Sequence, residues 1–466
     1  ENMLELQNLT VGFDGESILK NINMIFKPGE VTVITGHSGT GKSSLLKVIN
    51  GIIPEYNNAE LEGDIVFNGK SLFGLTILDR SKFISTVFQN PKTQFYCINS
   101  TDELAFQLEN RNIDKDLILD KIQYYSAVLG TKELLDRNIF ELSGGEKQLI
   151  AVTACGISEN EIILLDEPSS SLDQVAIEHL QNAIMELKKR KKIIIIVEHR
   201  LFYLKDMLDK LCVIENGTYK EYTKEQFCDD FFEQVSEKHN LRSFNAISKN
   251  NFLSRKYKQV EVLKKNSSDL DCKALSCLNF KKKYERKEIF DFSIAFESGI
   301  NFIIGQNGGG KSTFINLLMG LTRGIGEVFY NGVKVKKRCE NIFAIMQDVN
   351  YQLFTESVWQ EISTITKEDE LKNEILRMVD LFDKKEMHPN SLSGGEKQRL
   401  LLAMSMLSRK PIIIFDEPTS GLCKRQMDIL IGFLNKMTEQ GKIIIIITHD
   451  YEFIDRCNGK VYEFVK

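Results

Sequence analysis

No long hydrophobic run occurs in this 466-residue chain; its longest unbroken aliphatic stretches are Ile193 to Val197 and Ile443 to Ile447. A membrane-spanning helix needs roughly 20 apolar residues, so the chain is not expected to cross a bilayer. An excess of positive charge is also missing. Lys plus Arg total 60 against 65 Asp plus Glu, for a net charge of -5, so no global field draws the chain onto nucleic acid. Cysteine is sparse and odd in number at nine. The closest pair, Cys272 and Cys277, fits neither a zinc knuckle nor a redox CxxC, and free thiols in a reducing compartment are expected. Six histidines are too few and too scattered for a metal cage. The segment Glu1-Asn2-Met3-Leu4-Glu5 lacks the basic and apolar blocks of a signal peptide; export is not expected. With 7 Pro, 30 Gly, 42% hydrophobic and 27% charged residues, the balance is that of a globular protein. The length, about three times a typical single domain of roughly 150 residues, calls for more than one core.

An internal repeat organises the chain. Gly36-His37-Ser38-Gly39-Thr40-Gly41-Lys42-Ser43 returns as Gly305-Gln306-Asn307-Gly308-Gly309-Gly310-Lys311-Ser312, with the lysines 269 positions apart (311 - 42 = 269). Leu142-Ser143-Gly144-Gly145-Glu146-Lys147-Gln148 returns at 392–398, Asp166-Glu167-Pro168 at 416–418 and His199 at His449, each offset by 250 (416 - 166 = 250). The first copy therefore holds 19 more residues between its Lys and its Ser-Gly-Gly (269 - 250 = 19), an insertion that surface loops tolerate. The division expected is a first domain at 1–245, a linker at 246–270 and a second domain at 271–466. Residues 246–268 of the linker carry Lys249, Arg255, Lys256, Lys258, Lys264 and Lys265 against the single acid Glu261, without apolar periodicity, and read as a solvated tether.

Each copy runs from an apolar segment, Val31 to Thr35 or Asn301 to Ile304, into the Gly-rich loop and then a helix from Lys42 or Lys311. Strand, GxxxxGK[ST] and helix in that order form a phosphate cradle. The glycines let backbone N–H groups converge at a helix N-terminus, the lysine reaches the terminal phosphates, and Ser43 or Ser312 offers a hydroxyl to Mg²⁺. Ile162 to Leu165 and Ile412 to Phe415 read as buried strands ending in acid, and the two aliphatic runs as fully buried parallel strands. Asp166 and Asp416 are placed to hold the metal from its outer shell, and Glu167 and Glu417 to polarise an attacking water. Ser-Gly-Gly before a helix-forming segment presents a hydroxyl and backbone donors to an anion.

Taken together, and in this order, the motifs resemble the nucleotide-binding domains of ABC ATPases, twice over nearly the whole chain. The resemblance implies an α/β fold of tandem ABC-type P-loop NTPase domains. Each would have a mostly parallel sheet core, an antiparallel β subdomain and an α-helical signature subdomain. It implies that ATP and Mg²⁺ are bound by Gly36, Ser38, Gly39, Gly41, Lys42, Ser43 and Ser44 in the first copy. The second would use Gly305, Asn307, Gly308, Gly310, Lys311, Ser312 and Thr313. Gln89, Gln347, Asp166 and Asp416 would join Ser43 and Ser312 at the metal, and Glu167, His199, Glu417 and His449 would be catalytic. Each ATP would lie between one copy's loop and the other's signature, Ser143 with Gly145 or Ser393 with Gly395, and Phe13 and Tyr284 match the aromatic that stacks on adenine. The first D-loop ends Ser171-Leu172-Asp173 as the family's does, but the second reads Ser420-Gly421-Leu422-Cys423.

The segments after Gln89 and Gln347 are similar to those of energy-coupling factor ATPases. There a Q-x-P-x-x-Q stretch and an acidic-apolar helix dock on an integral membrane T component, which moves with a small substrate-binding S component. The second copy has Val349 in place of the Pro. What this implies is ATP-driven import of a vitamin, vitamin precursor or transition metal ion, from the cytoplasmic face of the membrane. A soluble twin ATPase acting on ribosomes is the alternative from another class; a fused sugar-importer ATPase is a third. Because both copies keep the Glu and the His, two hydrolysis-competent sites are expected. Glu167→Gln and Glu417→Gln should each lower the steady-state turnover of ATP; either one retaining the full wild-type rate overturns that expectation.

Overall fold

A computed structural model describes residues 2–170, 172–249, 257–260, 274–284, 287–347 and 349–464. The chain divides into two compact units, one comprising Glu1–Ala246 with Gly421–Arg425 and the other Ile247–Ser420 with Gln426–Lys466.

The first unit is built on a six-stranded sheet in the order Thr218–Thr223, Lys210–Glu215, Val31–Gly36, Ile193–Val197, Ile162–Asp166, Ile84–Val87. All neighbours pair in parallel except the first two, an antiparallel hairpin closed by Asn216-Gly217. Both turn residues have positive φ, the conformation that Asn-Gly supplies at least strain. The run Ile193–Val197 is buried throughout because the sheet is covered on both faces. Ile193, Ile195 and Val197 pack with the helix Lys42–Asn50 and with a second, antiparallel sheet. That sheet is ordered Glu16–Phe26, Leu4–Phe13, Glu60–Phe67, Lys70–Ser71. Ile194 and Ile196 face the other way, into a core shared with the helices Ser100–Glu109, Lys115–Val128, Gly144–Ile157 and Gln174–Lys189.

The second unit repeats this plan. Its six strands run in the order Tyr257–Val260, Lys460–Phe464, Gly299–Ile304, Ile443–Ile447, Ile412–Asp416, Ile342–Ile345, paired in parallel throughout. An antiparallel sheet of Lys287–Phe296, Leu275–Tyr284, Ile325–Tyr330 and Val333–Lys334 packs over the helix Lys311–Met319. The strand Tyr257–Val260 lies within the stretch expected to be a tether. Four residues are too few to show a period, and backbone hydrogen bonds hold an edge strand without any hydrophobic signal. Most of the remaining linker, 250–256 and 261–270, lies outside the described residues. The eight described cysteines are free thiols, and Cys272 lies outside them.

A buried arginine of the first unit has a half-buried counterpart in the second. Arg80, 2% exposed, donates from Nη1 to the carbonyls of Val48 and Ile49 and from Nη2 to that of Leu72, at 2.7, 3.0 and 2.8 Å. It thereby satisfies carbonyls that the end of the helix Lys42–Asn50 leaves without intrahelical partners. Arg338 donates to the carbonyl of Leu317, near the end of the helix Lys311–Met319, and to that of Gly326 in the strand Ile325–Tyr330. Arg80→Met should leave those buried acceptors unpaired, at about 2–3 kcal/mol, and lower the melting temperature in a thermal scan; an unchanged melting temperature overturns the capping role.

Candidate functional site

The Gly-rich loop, the Asp-Glu pair and the His of each unit lie at the carboxyl ends of its parallel strands. The Gly-rich loop leaves the strand Val31–Gly36 and enters the helix Lys42–Asn50. Gly36 has φ +140°, and a Cβ there would lie 2.3 Å from the carbonyl oxygen of Ile214; at Gly305, φ is +145° and the corresponding distance to the Phe464 carbonyl is 2.6 Å. Only glycine fits at either position. Lys42 Nζ folds back onto the carbonyls of Gly36 and His37 at 3.1 and 2.5 Å, and Lys311 Nζ onto those of Gly305 and Gln306 at 2.7 and 2.8 Å. Both ammonium groups thus sit inside the loop they are expected to serve. Burial lowers the Lys42 pKa to about 8, opposed chiefly by the negative charge of Glu167.

Ser43 Oγ donates to Asp166 Oδ1 at 2.9 Å, and Gln89 Nε2 to Glu167 Oε2 at 2.7 Å. His199 Nε2 lies 3.6 Å from Glu167 Oε1. One cluster therefore holds Lys42, Ser43, Gln89, Asp166, Glu167 and His199. Burial drives the Glu167 pKa well above its ordinary value, with the charges of Glu198 and Asp166 adding, and drives that of His199 well below. For both groups burial disfavours the charged form. Burial also raises Asp166, against its Ser43 hydrogen bond, and raises Asp416 to about 6, against the charge of Lys311. In the second unit His449 Nε2 lies 3.4 Å from Glu417 Oε1, and the His449 N–H faces Glu417 Oε2. Glu167 and Glu417 both take positive φ, +44° and +50°. Their N–H groups donate to the carbonyls of Val197 and Ile447, so each is turned at the strand end by the sheet itself.

Ser143 and Ser393 are N-caps of the helices Gly144–Ile157 and Gly394–Leu407, each in a reciprocal capping box with Glu146 or Glu396. The hydroxyl oxygen accepts from the backbone in that box, which leaves its hydrogen to donate. Gly145 and Gly395 occupy the first turns. Ser38, Gly39 and Gly41, with Asn307, Gly308 and Gly310, lie in the loops; Ser44 and Thr313 lie in the first turns that follow. Phe13 ends the strand Leu4–Phe13, half-buried against the core. The side chain of Tyr284 lies outside the described residues.

Two further features escaped the motif reading. Glu198, 2% exposed, accepts from the N–H groups of His199, Arg200 and Ser169 and from Tyr203 Oη, at 2.8, 3.1, 3.2 and 2.8 Å. It holds the His199 turn against the segment following Glu167, and only its position beside His199 could have drawn notice. The second, the side-chain amides of Gln94 and Gln352, was visible in the repeat but not interpretable as backbone hydrogen bonding.

The family model for ABC transporters matches residues 19–170 and 291–420. A Treponema denticola protein named as an ABC transporter ATP-binding protein is 36% identical over 98% of this chain and 94% of its own length. The chain belongs to the ABC transporter ATPase family. It is an ATPase with two fused ATP-binding domains. A Clostridium perfringens protein named in the same way is 29% identical over 96% of this chain and 86% of its own. A solved archaeal assembly described as ribosome-bound Pelota and ABCE1 is 22% identical, with a TM-score of 0.65 over 96% of this chain and 74% of that one; this shows the fold alone. Among the described residues of this ABC ATPase no helix is long and apolar enough to cross a membrane. Gly36→Ala should abolish binding of a fluorescent ATP analogue at the first loop, since its Cβ must displace either the loop or the adjoining strand; wild-type binding stoichiometry overturns the cradle geometry.

Proposed function

We propose that this ABC ATPase energises a membrane importer of the energy-coupling factor type, peripheral on the cytoplasmic face, for a vitamin, vitamin precursor or transition metal ion. The observation that carries the reading is the segment following each Gln. Tyr96 and Phe354 stand at equivalent places and are both 80% exposed. Each is presented on a braced backbone. Glu103 accepts from the N–H groups of Tyr96 and Cys97 at 2.9 and 2.8 Å, and Glu361 from those of Phe354 and Thr355 at 3.2 and 2.9 Å. An aromatic held out into solvent by a rigid scaffold suits a protein anchor, where large side chains supply most of the binding energy. Two such anchors, one per domain, match what a T component with two coupling helices would need; the small S component would join through it.

The donor set in each domain suits Mg²⁺. Hydroxyl, carboxylate and amide oxygens are hard ligands, and Ser43 already touches Asp166. Among the described residues no cluster of three or more His, Cys, Asp or Glu could hold a metal. The ion would therefore depend on Ser43, Gln89 and Asp166, or Ser312, Gln347 and Asp416, together with ATP oxygens. A bound Mg²⁺ supplies charge neutralisation to the phosphates; Glu167 and Glu417 orient the water, and His199 and His449 hold that Glu in place.

Affinity isolation from detergent-solubilised native membranes tests the reading. A T-like integral protein and a small, very hydrophobic S-like protein should co-purify with wild type, and both should be lost from a folded Tyr96→Glu, Phe354→Glu double variant. Recovery of ribosomal proteins without an integral membrane partner overturns the importer reading and leaves the ATPase standing.

A further inference from the structure

Among the described residues, the edge strand Ile84–Val87 has a neighbour on one side only, Ile162–Asp166. On its open side the side-chain amide of Gln94 supplies a substitute rung. Gln94 Oε1 accepts from the Phe88 N–H at 3.2 Å, and Gln94 Nε2 donates to the Thr86 carbonyl at 2.9 Å. Bonds to residues two apart, one accepted and one donated, are those that one residue of a parallel neighbouring strand would make. The second domain repeats them beside the strand Ile342–Ile345. Gln352 Oε1 accepts from the Met346 N–H, and Gln352 Nε2 donates to the Ala344 carbonyl, both at 2.8 Å. The residues between the two glutamines of each loop, 90–93 and 348–351, differ at every place between the copies. Spacing and clamp are nevertheless retained.

The clamped residues, Phe88 and Met346, immediately precede Gln89 and Gln347. In the first domain Gln89 Nε2 then reaches Glu167 Oε2 at 2.7 Å, a contact that a slip of the strand end by about 1 Å would break. From these observations we infer that Gln94 and Gln352 are positioning residues, which fix the strand end from which Gln89 and Gln347 reach into the ATP site. The carboxylates of Glu103 and Glu361 secure the far end of the same loop through the amides of residues 96–97 and 354–355. The loop is thereby anchored on the strand at one end and on the helix Ser100–Glu109 or Val358–Ser363 at the other. The inference rests on the reading of Gln89 and Gln347 as site residues.

A purely structural role predicts something different. Thr86, Phe88 and Gln94 line an open cavity of about 250 Å³, so water has access to the two backbone groups once the amide is gone. Gln94→Ala with Gln352→Ala in the full chain should therefore melt near the wild-type temperature. It should lower kcat about tenfold, with the KM for ATP and the affinity for a fluorescent ATP analogue changed less than twofold. Gln89→Ala with Gln347→Ala should lower kcat at least as far. All four substitutions together should match that second variant within twofold, because the clamp acts only through Gln89 and Gln347. A multiplicative further loss in the fourfold variant, or undiminished kcat in the Gln94, Gln352 variant, overturns the inference. Undiminished kcat in the Gln89, Gln347 variant overturns instead the reading of those two as site residues, and the purpose of the clamp with it. If the alanine pair fails to fold, Gln94→Asn with Gln352→Asn keeps the amide but is one methylene short. It should lower kcat in the same way, and wild-type turnover from it overturns the inference.

Discussion

Burial of a parallel strand on both faces is the constraint from which the site follows. Ile193–Val197 and Ile443–Ile447 have no solvent-facing side, so polar chemistry has no place along them and collects where they stop. At those ends the sheet turns Glu167 and Glu417 into positive φ and sets the Gly-rich loops over unpaired helix N–H groups, where phosphate is attracted. The same burial strips the strand-terminal acids and His199 of water. It pushes the Glu167 pKa up and that of His199 down, and lowers Lys42 to about 8. Electrostatic interactions with an arriving ATP and its cation would be strong there for lack of competing solvent.

The two domains share this plan but not its support. Glu198 ties His199, Arg200, Ser169 and Tyr203 into one buried knot. At the corresponding place the second domain has Thr448, whose hydroxyl accepts from the Asp450 N–H, and Asp450 caps the short helix Tyr451–Arg456. The edges of the sheets differ as well, an antiparallel hairpin in one and the parallel strand Tyr257–Val260 in the other. The same Glu and His side chains thus rest on unequal frames. That inequality lies in neighbours of the motifs and adds to the altered D-loop at Cys423.

The sequence alone determined what depends on local chemistry and exact spacing. The Gly-rich loops, the strand-terminal acids, the Ser-Gly-Gly caps and the α/β class were legible because each is a short segment whose residue types dictate its backbone. The strands 193–197 and 443–447 were legible because five consecutive β-branched residues, wholly apolar, suit only a doubly covered sheet. Tertiary structure decided the rest: Arg80 closing a helix that ends 30 residues before it, Glu198 gathering donors from three segments, and Gln94 standing in for a strand. Each of those side chains bonds to backbone groups, and a backbone carbonyl or N–H bears no residue identity for a sequence to display. Only folding brings the partner within reach, and so only the folded chain could reveal what these polar residues do.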